Sequence, residues 1–128
     1  MVRSRAFVCA ALLGLVVVAC SDGEPDPALG VFVVDVAGER FVLTLTDPET
    51  LRLARQNLQG GNNRFPIGPL RAGDGGFNRP WSWHLAPAET RMTEAAIEVC
   101  DGRPSYVETH LADYPTYCPW AARIITER

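Results

Sequence analysis

Few residues of this 128-residue chain have side chains suited to chemistry: His84, His110 and the cysteines Cys9, Cys20, Cys100 and Cys118. His84 stands in the run Trp81-Ser82-Trp83-His84-Leu85. Strand alternation puts the two tryptophans and Leu85 on one face, with Ser82 and His84 on the other. An acid from the neighbouring strand, Glu98 or Asp101, would give His84 a partner for proton transfer near neutral pH. His84 and Asp101 are therefore the candidate catalytic pair. The structural alternatives are a histidine bonded to a carboxylate or carbonyl, and an Asp101 that caps the helix opening at Pro104. His110 falls mid-helix, on the surface. No Ser or Cys lies in a nucleophile elbow. Two cysteines and two histidines without zinc-ligand spacing point to no metal, and no cofactor motif is present.

The other cysteine chemistry depends on compartment. Arg3 and Arg5 precede an apolar run, Ala6 to Ala19, that ends in Val17-Val18-Ala19-Cys20. The run is too short to span a bilayer and has the tripartite shape of a secretory signal. With a cysteine after a small residue, it looks like a bacterial lipoprotein signal with its lipobox. That resemblance implies removal of residues 1–19, lipid on Cys20 and a membrane anchor at the new amino terminus. Ser21, rather than Asp, permits the outer membrane in a Gram-negative envelope; elsewhere the cell surface is expected. Cys100 and Cys118 then remain as one even pair in an oxidising compartment, which predicts a disulfide.

Residues 20–30 read as the lipidated Cys and a flexible tether, acidic and with two prolines. Residues 31–128 form one domain of modest core. All twelve basic residues are Arg. Loss of the signal removes two of them and none of the fifteen acids, for a net charge of −5. That balance excludes nucleic acid as the partner.

The elements that must position these groups follow from pattern. Val31–Val36 and Arg40–Thr46 read as a hairpin around Ala37-Gly38-Glu39. A helix opens at Asp47-Pro48-Glu49, buries Leu51, Ala54 and Leu58, and stops at Gly60-Gly61. Phe65–Leu70 reads as a short edge strand limited by Pro66 and Pro69. Trp81–Leu85 is expected to pair with a strand over Arg91–Cys100. A second helix follows, with Val107, Leu111 and Tyr114 buried, and ends at Pro115. Trp120–Thr126 is the last strand. The fold class is α+β: a small domain with a mostly antiparallel sheet, two helices and one disulfide.

Several pieces resemble a little-characterised family of small secreted domains labelled calmodulin-binding-protein-like. They include Phe41-Val42-Leu43-Thr44-Leu45-Thr46-Asp47-Pro48, Trp81-Ser82-Trp83-His84-Leu85, Ala96-Ile97-Glu98-Val99-Cys100-Asp101 and Cys118-Pro119-Trp120. The resemblance implies one domain and the Cys100–Cys118 pair, and it assigns no catalytic residue. Calmodulin itself is not expected as the partner, because its targets are basic amphipathic helices.

The long Gly61–Arg79 stretch interleaves Arg64, Phe65, Arg71, Phe77 and Arg79, residue types that dominate interfaces. It is the expected partner-binding loop. The leading expectation is a membrane-anchored, non-enzymatic binding module for a protein or peptide. The alternatives are a small enzyme or ligand-binding domain that uses His84 and a cleft of Trp81, Trp83 and Trp120, or an envelope protease inhibitor.

Overall fold

The computed structural model describes residues Leu29–Arg128. The signal, Cys20 and the tether up to residue 28 lie outside the described residues.

The hairpin forms as expected. β1 (Gly30–Val36) and β2 (Glu39–Leu45) pair antiparallel from Gly30↔Leu45 to Val36↔Glu39. Ala37 and Gly38 have φ of 51° and 94°, the doubly positive two-residue turn that suits strand twist. β1 alternates so that Phe32, Val34 and Val36 face the core. The last strand of the chain pairs with the other side of β1, giving a three-stranded antiparallel sheet with β1 at its centre.

Helix α1 (Pro48–Leu58) starts where Asp47 accepts hydrogen bonds from the Thr50 amide (3.0 Å) and hydroxyl (2.8 Å). It ends where Gly61 N–H donates to Gln56 O (2.8 Å) and Gly60 N–H to Asn57 O (2.9 Å). That pair of bonds around Gly60, at φ 81°, needs a residue without a Cβ penalty.

The second half departs from expectation. Phe65–Leu70 is not an edge: β3 (Phe65–Ala72) is the hub of a second sheet. Three short strands each take part of its length. β4 (Trp83–Leu85) pairs with Leu70–Ala72, β5 (Arg91–Thr93) with Phe65–Ile67, and β6 (Thr116–Tyr117) with Gly68–Pro69. Proline lacks an N–H, so Pro69 can join the sheet only through its carbonyl, which accepts from Ala86 N–H at 3.0 Å. Gly68 is required for contact, since a Cβ there would stand 3.0 Å from the Thr90 Cα. β4 and β5 therefore pair with β3 and not with each other. The strand expected over Arg91–Cys100 stops at Thr93, and Glu98–Cys100 is a 3-10 turn.

The second helix, α2 (Pro104–Thr109), is shorter than expected and passes into a 3-10 turn at Leu111–Asp113. Val107 and Tyr114 are buried; Leu111 is only partly so. β7 (Ala122–Glu127) is the closing strand of the first sheet. The result is α+β with two helices and one disulfide, the antiparallel strands being divided between two sheets.

Fully buried Trp83 sits between the sheets, with ring centroids 5.4 Å from Phe41 and 5.3 Å from Tyr117. Two buried asparagines link the sheets through the backbone. Asn78 Oδ1 accepts from Val42 N–H on β2 (2.7 Å), and its Nδ2 donates to Trp83 O on β4 (2.7 Å). Asn57 Oδ1 accepts from Ile124 N–H on β7 (3.0 Å), and its Nδ2 donates to Arg64 O at the entry to β3 (3.0 Å). Asn78→Ala strands a buried donor and a buried acceptor. It is expected to lower unfolding stability in urea by roughly 3 kcal/mol, whereas Asn63→Ala, at an exposed neighbour of the second link, should change it by less than about 0.5 kcal/mol.

Candidate binding surface

His84 is on β4, in register with Arg71 of β3. Its Nδ1 is 2.8 Å from Gly73 O, and its ring meets Phe77 edge-on at 5.5 Å. Glu98 and Asp101 are not among its partners, so the expected acid–base pair is not assembled. Glu98 lies on the 3-10 turn before Cys100. Asp101 Oδ1 accepts from Gly102 N–H and Trp120 N–H, each at 2.8 Å. It therefore braces two loops and does not cap α2. That role falls to Glu39 of β2, whose carboxylate takes the Ser105 amide (2.9 Å) and hydroxyl (2.8 Å). These two bonds, the amide first, hold the Glu39 carboxyl below its ordinary range. His110 stacks on Tyr106 at 3.8 Å.

The tryptophans do not share a cleft. Trp83 is in the core, and Trp81 stacks beside it at 6.2 Å and donates to Arg40 O. Trp120 is on the surface, 43 % exposed.

The five residues expected to form one binding loop are also dispersed. Phe65 is buried against the disulfide, six residues along β3 from Arg71, or about 20 Å at strand rise. Arg64 pairs with Glu94 (2.8 Å), Arg71 with Glu89 (3.3 Å) and Arg79 with Asp74 (3.7 Å). The remaining loop, from Gly73 to Ser82, is anchored by Asn78 and by the Trp81 indole.

The most exposed apolar surface lies elsewhere, around Cys100 and Cys118. These are bonded, with Cα atoms 5.0 Å apart, and Cys118 N–H donates to Cys100 O at 2.7 Å. Phe65 packs beneath them. Outside them Ile97 is 68 % exposed and Val99 73 %. Trp120 follows Cys118-Pro119 in a tight turn closed by Ala122 N–H to Pro119 O (3.1 Å). The turn and Asp101 fix its backbone, so these apolar groups are presented by an ordered frame. Trp120 separates a polar groove of about 370 Å³, which Asn63 and Arg123 help line, from a groove of about 270 Å³ with Phe65, Ala95 and Ala96. A third groove, about 240 Å³, lies over Ile67, Ile97, Val99 and Cys100. The sequence reading hid this surface because it carried a strand through Ile97 and Val99 to Cys100, and that strand stops at Thr93. The tight clustering of Ile97, Val99 and Trp120 around two cysteines was the available signal.

Charge is unevenly neutralised. Among the described residues, eight of ten arginines pair with a side-chain carboxylate within 4.0 Å; Arg123 and Arg128 do not. The carboxylates left without an arginine are Glu98, Asp101, Glu108 and Asp113, all in one stretch of chain. Glu108 is bonded to the Ser82 amide and hydroxyl, and Asp101 to two amides. Glu98 and Asp113 are the two exposed ones.

Compared with known families, residues 28–128 match the BP-74 N-terminal domain. No curated protein and no solved structure matches the chain.

The disulfide closes a loop of 18 residues. Replacing both cysteines by Ser is expected to lower unfolding stability by about 3 kcal/mol on the chain-entropy relation. Peptide mass mapping after alkylation should show Cys100 and Cys118 unalkylated in the native protein and both alkylated after reduction.

Proposed function

We propose that this chain, which belongs to the BP-74 N-terminal domain family, is a non-enzymatic binding module that takes a protein or peptide partner on the surface around its disulfide. One observation carries the reading: Ile97, Val99 and Trp120 are 68, 73 and 43 % exposed on a frame fixed by a disulfide and backbone hydrogen bonds. Exposed apolar side chains gathered in one place mark interaction surfaces. Tryptophan is also the side chain most enriched among residues that dominate binding energy. Presentation on an ordered frame reduces the entropy lost on association.

In this reading, lipid on Cys20 holds the domain at a cell envelope, on the outer membrane of a Gram-negative cell or otherwise on the cell surface. The nine residues from Ser21 to Leu29 would span at most about 32 Å. The domain would thus search a thin layer near the membrane, raising its effective concentration toward other anchored proteins. The likeness to calmodulin-binding-protein-like domains belongs to the same reading, with a partner other than calmodulin. In support, Arg52 and Arg55, the cations of α1, are already engaged by Glu49 and Glu127.

Two measurements test this. Cys20→Ser should leave the protein unprocessed or release it from membranes without detergent; a processed, detergent-requiring Cys20→Ser protein contradicts the anchor. In pull-downs from envelope extract, Ile97→Ser/Val99→Ser/Trp120→Ala should lose at least about tenfold in partner recovery, as removal of central anchors does. Arg71→Ala/Phe77→Ala/Arg79→Ala should retain it. The opposite pattern would move the binding surface to the Gly73–Ser82 loop.

A further inference from the structure

We infer that the groove beside the disulfide receives a cationic peptide segment, with one apolar side chain in the groove and a Lys or Arg on Asp113 or Glu98. The inference rests on the binding reading above and adds the chemistry of the partner.

The groove encloses about 240 Å³ between Ile67, Ile97, Val99 and Pro115, with Cys100 at its base. That is room for one large aliphatic or aromatic side chain rather than for a cofactor. Asp113 is the one charged group lining it. Glu98 stands exposed between Ile97 and Val99 in the chain. Neither carboxylate has an arginine within 4.0 Å, although eight others on the described domain do. The groove is therefore an apolar slot with one uncompensated carboxylate, Asp113, at its rim and a second, Glu98, next in the chain to Ile97 and Val99 of its lining. A partner with acids at this rim would meet like charge, and a neutral one would leave both carboxylates facing a partly desolvated surface. A partner with Lys or Arg beside its apolar anchor satisfies both requirements. The apolar anchor supplies the affinity, and the exposed ion pairs select the partner and make binding sensitive to salt.

The test uses the full chain in non-ionic detergent, with micelles alone as the blank, and fluorescence anisotropy of rhodamine-labelled hexapeptides. One hexapeptide has a leucine flanked by two arginines; its twin has glutamates in their place. The arginine peptide should bind about tenfold more tightly than its twin, and the gap should close as salt rises from about 0.05 to about 0.5 M. Glu98→Gln/Asp113→Asn should bring the two peptides within about threefold of each other, while Glu89→Gln, on a remote ion pair, should leave the gap unchanged. Ile97→Ser/Val99→Ser should weaken both peptides. Equal affinity for the twins, binding of neither, or a preference that survives Glu98→Gln/Asp113→Asn would overturn the inference. The binding reading would then still stand or fall on partner recovery by the Ile97→Ser/Val99→Ser/Trp120→Ala protein, so the two failures are separable.

Discussion

The structure depends on two buried asparagines that satisfy main-chain groups where its two small sheets meet. Neither sheet can close on the other by backbone pairing: the first has three strands, and the second is β3 with three short partners. The meeting zone would leave Val42 N–H, Trp83 O, Ile124 N–H and Arg64 O without partners. Asn78 and Asn57, each supplying an acceptor and a donor, bond all four. An unpaired buried group of this kind costs about 1–3 kcal/mol, against a total stability of only about 5–15 kcal/mol for a domain. Each asparagine also takes up one outward amide of β2 or β7, the two outer strands of the first sheet. Such edges are otherwise open to pairing with another chain.

What this frame leaves outside explains the location of the candidate site. With Trp83, Phe41 and Tyr117 filling the centre, the stretch from Glu94 to Val99 contributes no buried residue, and only Ala96 packs on the small cluster of Phe65 and the disulfide. The disulfide and Asp101 hold that stretch and the Cys118–Trp120 turn in place, so its apolar groups remain ordered while exposed. Glu39 ties the start of α2 to β2, and Glu108 near its end ties it to Ser82, at the close of the loop before β4. This leaves Glu98 and Asp113 as the exposed carboxylates without a cation.

How much of this the sequence revealed followed the range of each interaction. The hairpin, α1 and the disulfide were legible because local chemistry determines them: a Gly turn, Asp47 before Pro48, and one even cysteine pair. β3 was misread because two prolines argue against a central strand, and nothing local reveals that its partners are divided into three. Ile97 and Val99 were misread as strand residues because the alternation continues to Cys100, although the strand stops at Thr93. Asn78 reads in sequence like any turn asparagine, and Glu39 like any hairpin-turn acid. Their roles depend on partners 36 and 66 residues away. Of the candidate site, only the pairing of Cys100 with Cys118 was read correctly. The structural alternative read for His84, a bond to a carbonyl, is the one found; Asp101 neither pairs with His84 nor caps α2, because its carboxylate is taken by the Gly102 and Trp120 amides.

Native-state hydrogen exchange on the full chain tests the central constraint most directly. The amides of Val42 and Ile124 belong to strands at the edges of a sheet, where exchange by local fraying is ordinary. If Asn78 and Asn57 hold the two sheets together, both amides exchange only through global unfolding, with the same opening free energy as the core amides of β1. Exchange of either amide through a lower-energy local opening, while β1 stays protected, would show that the sheets separate without the asparagines and would contradict the account.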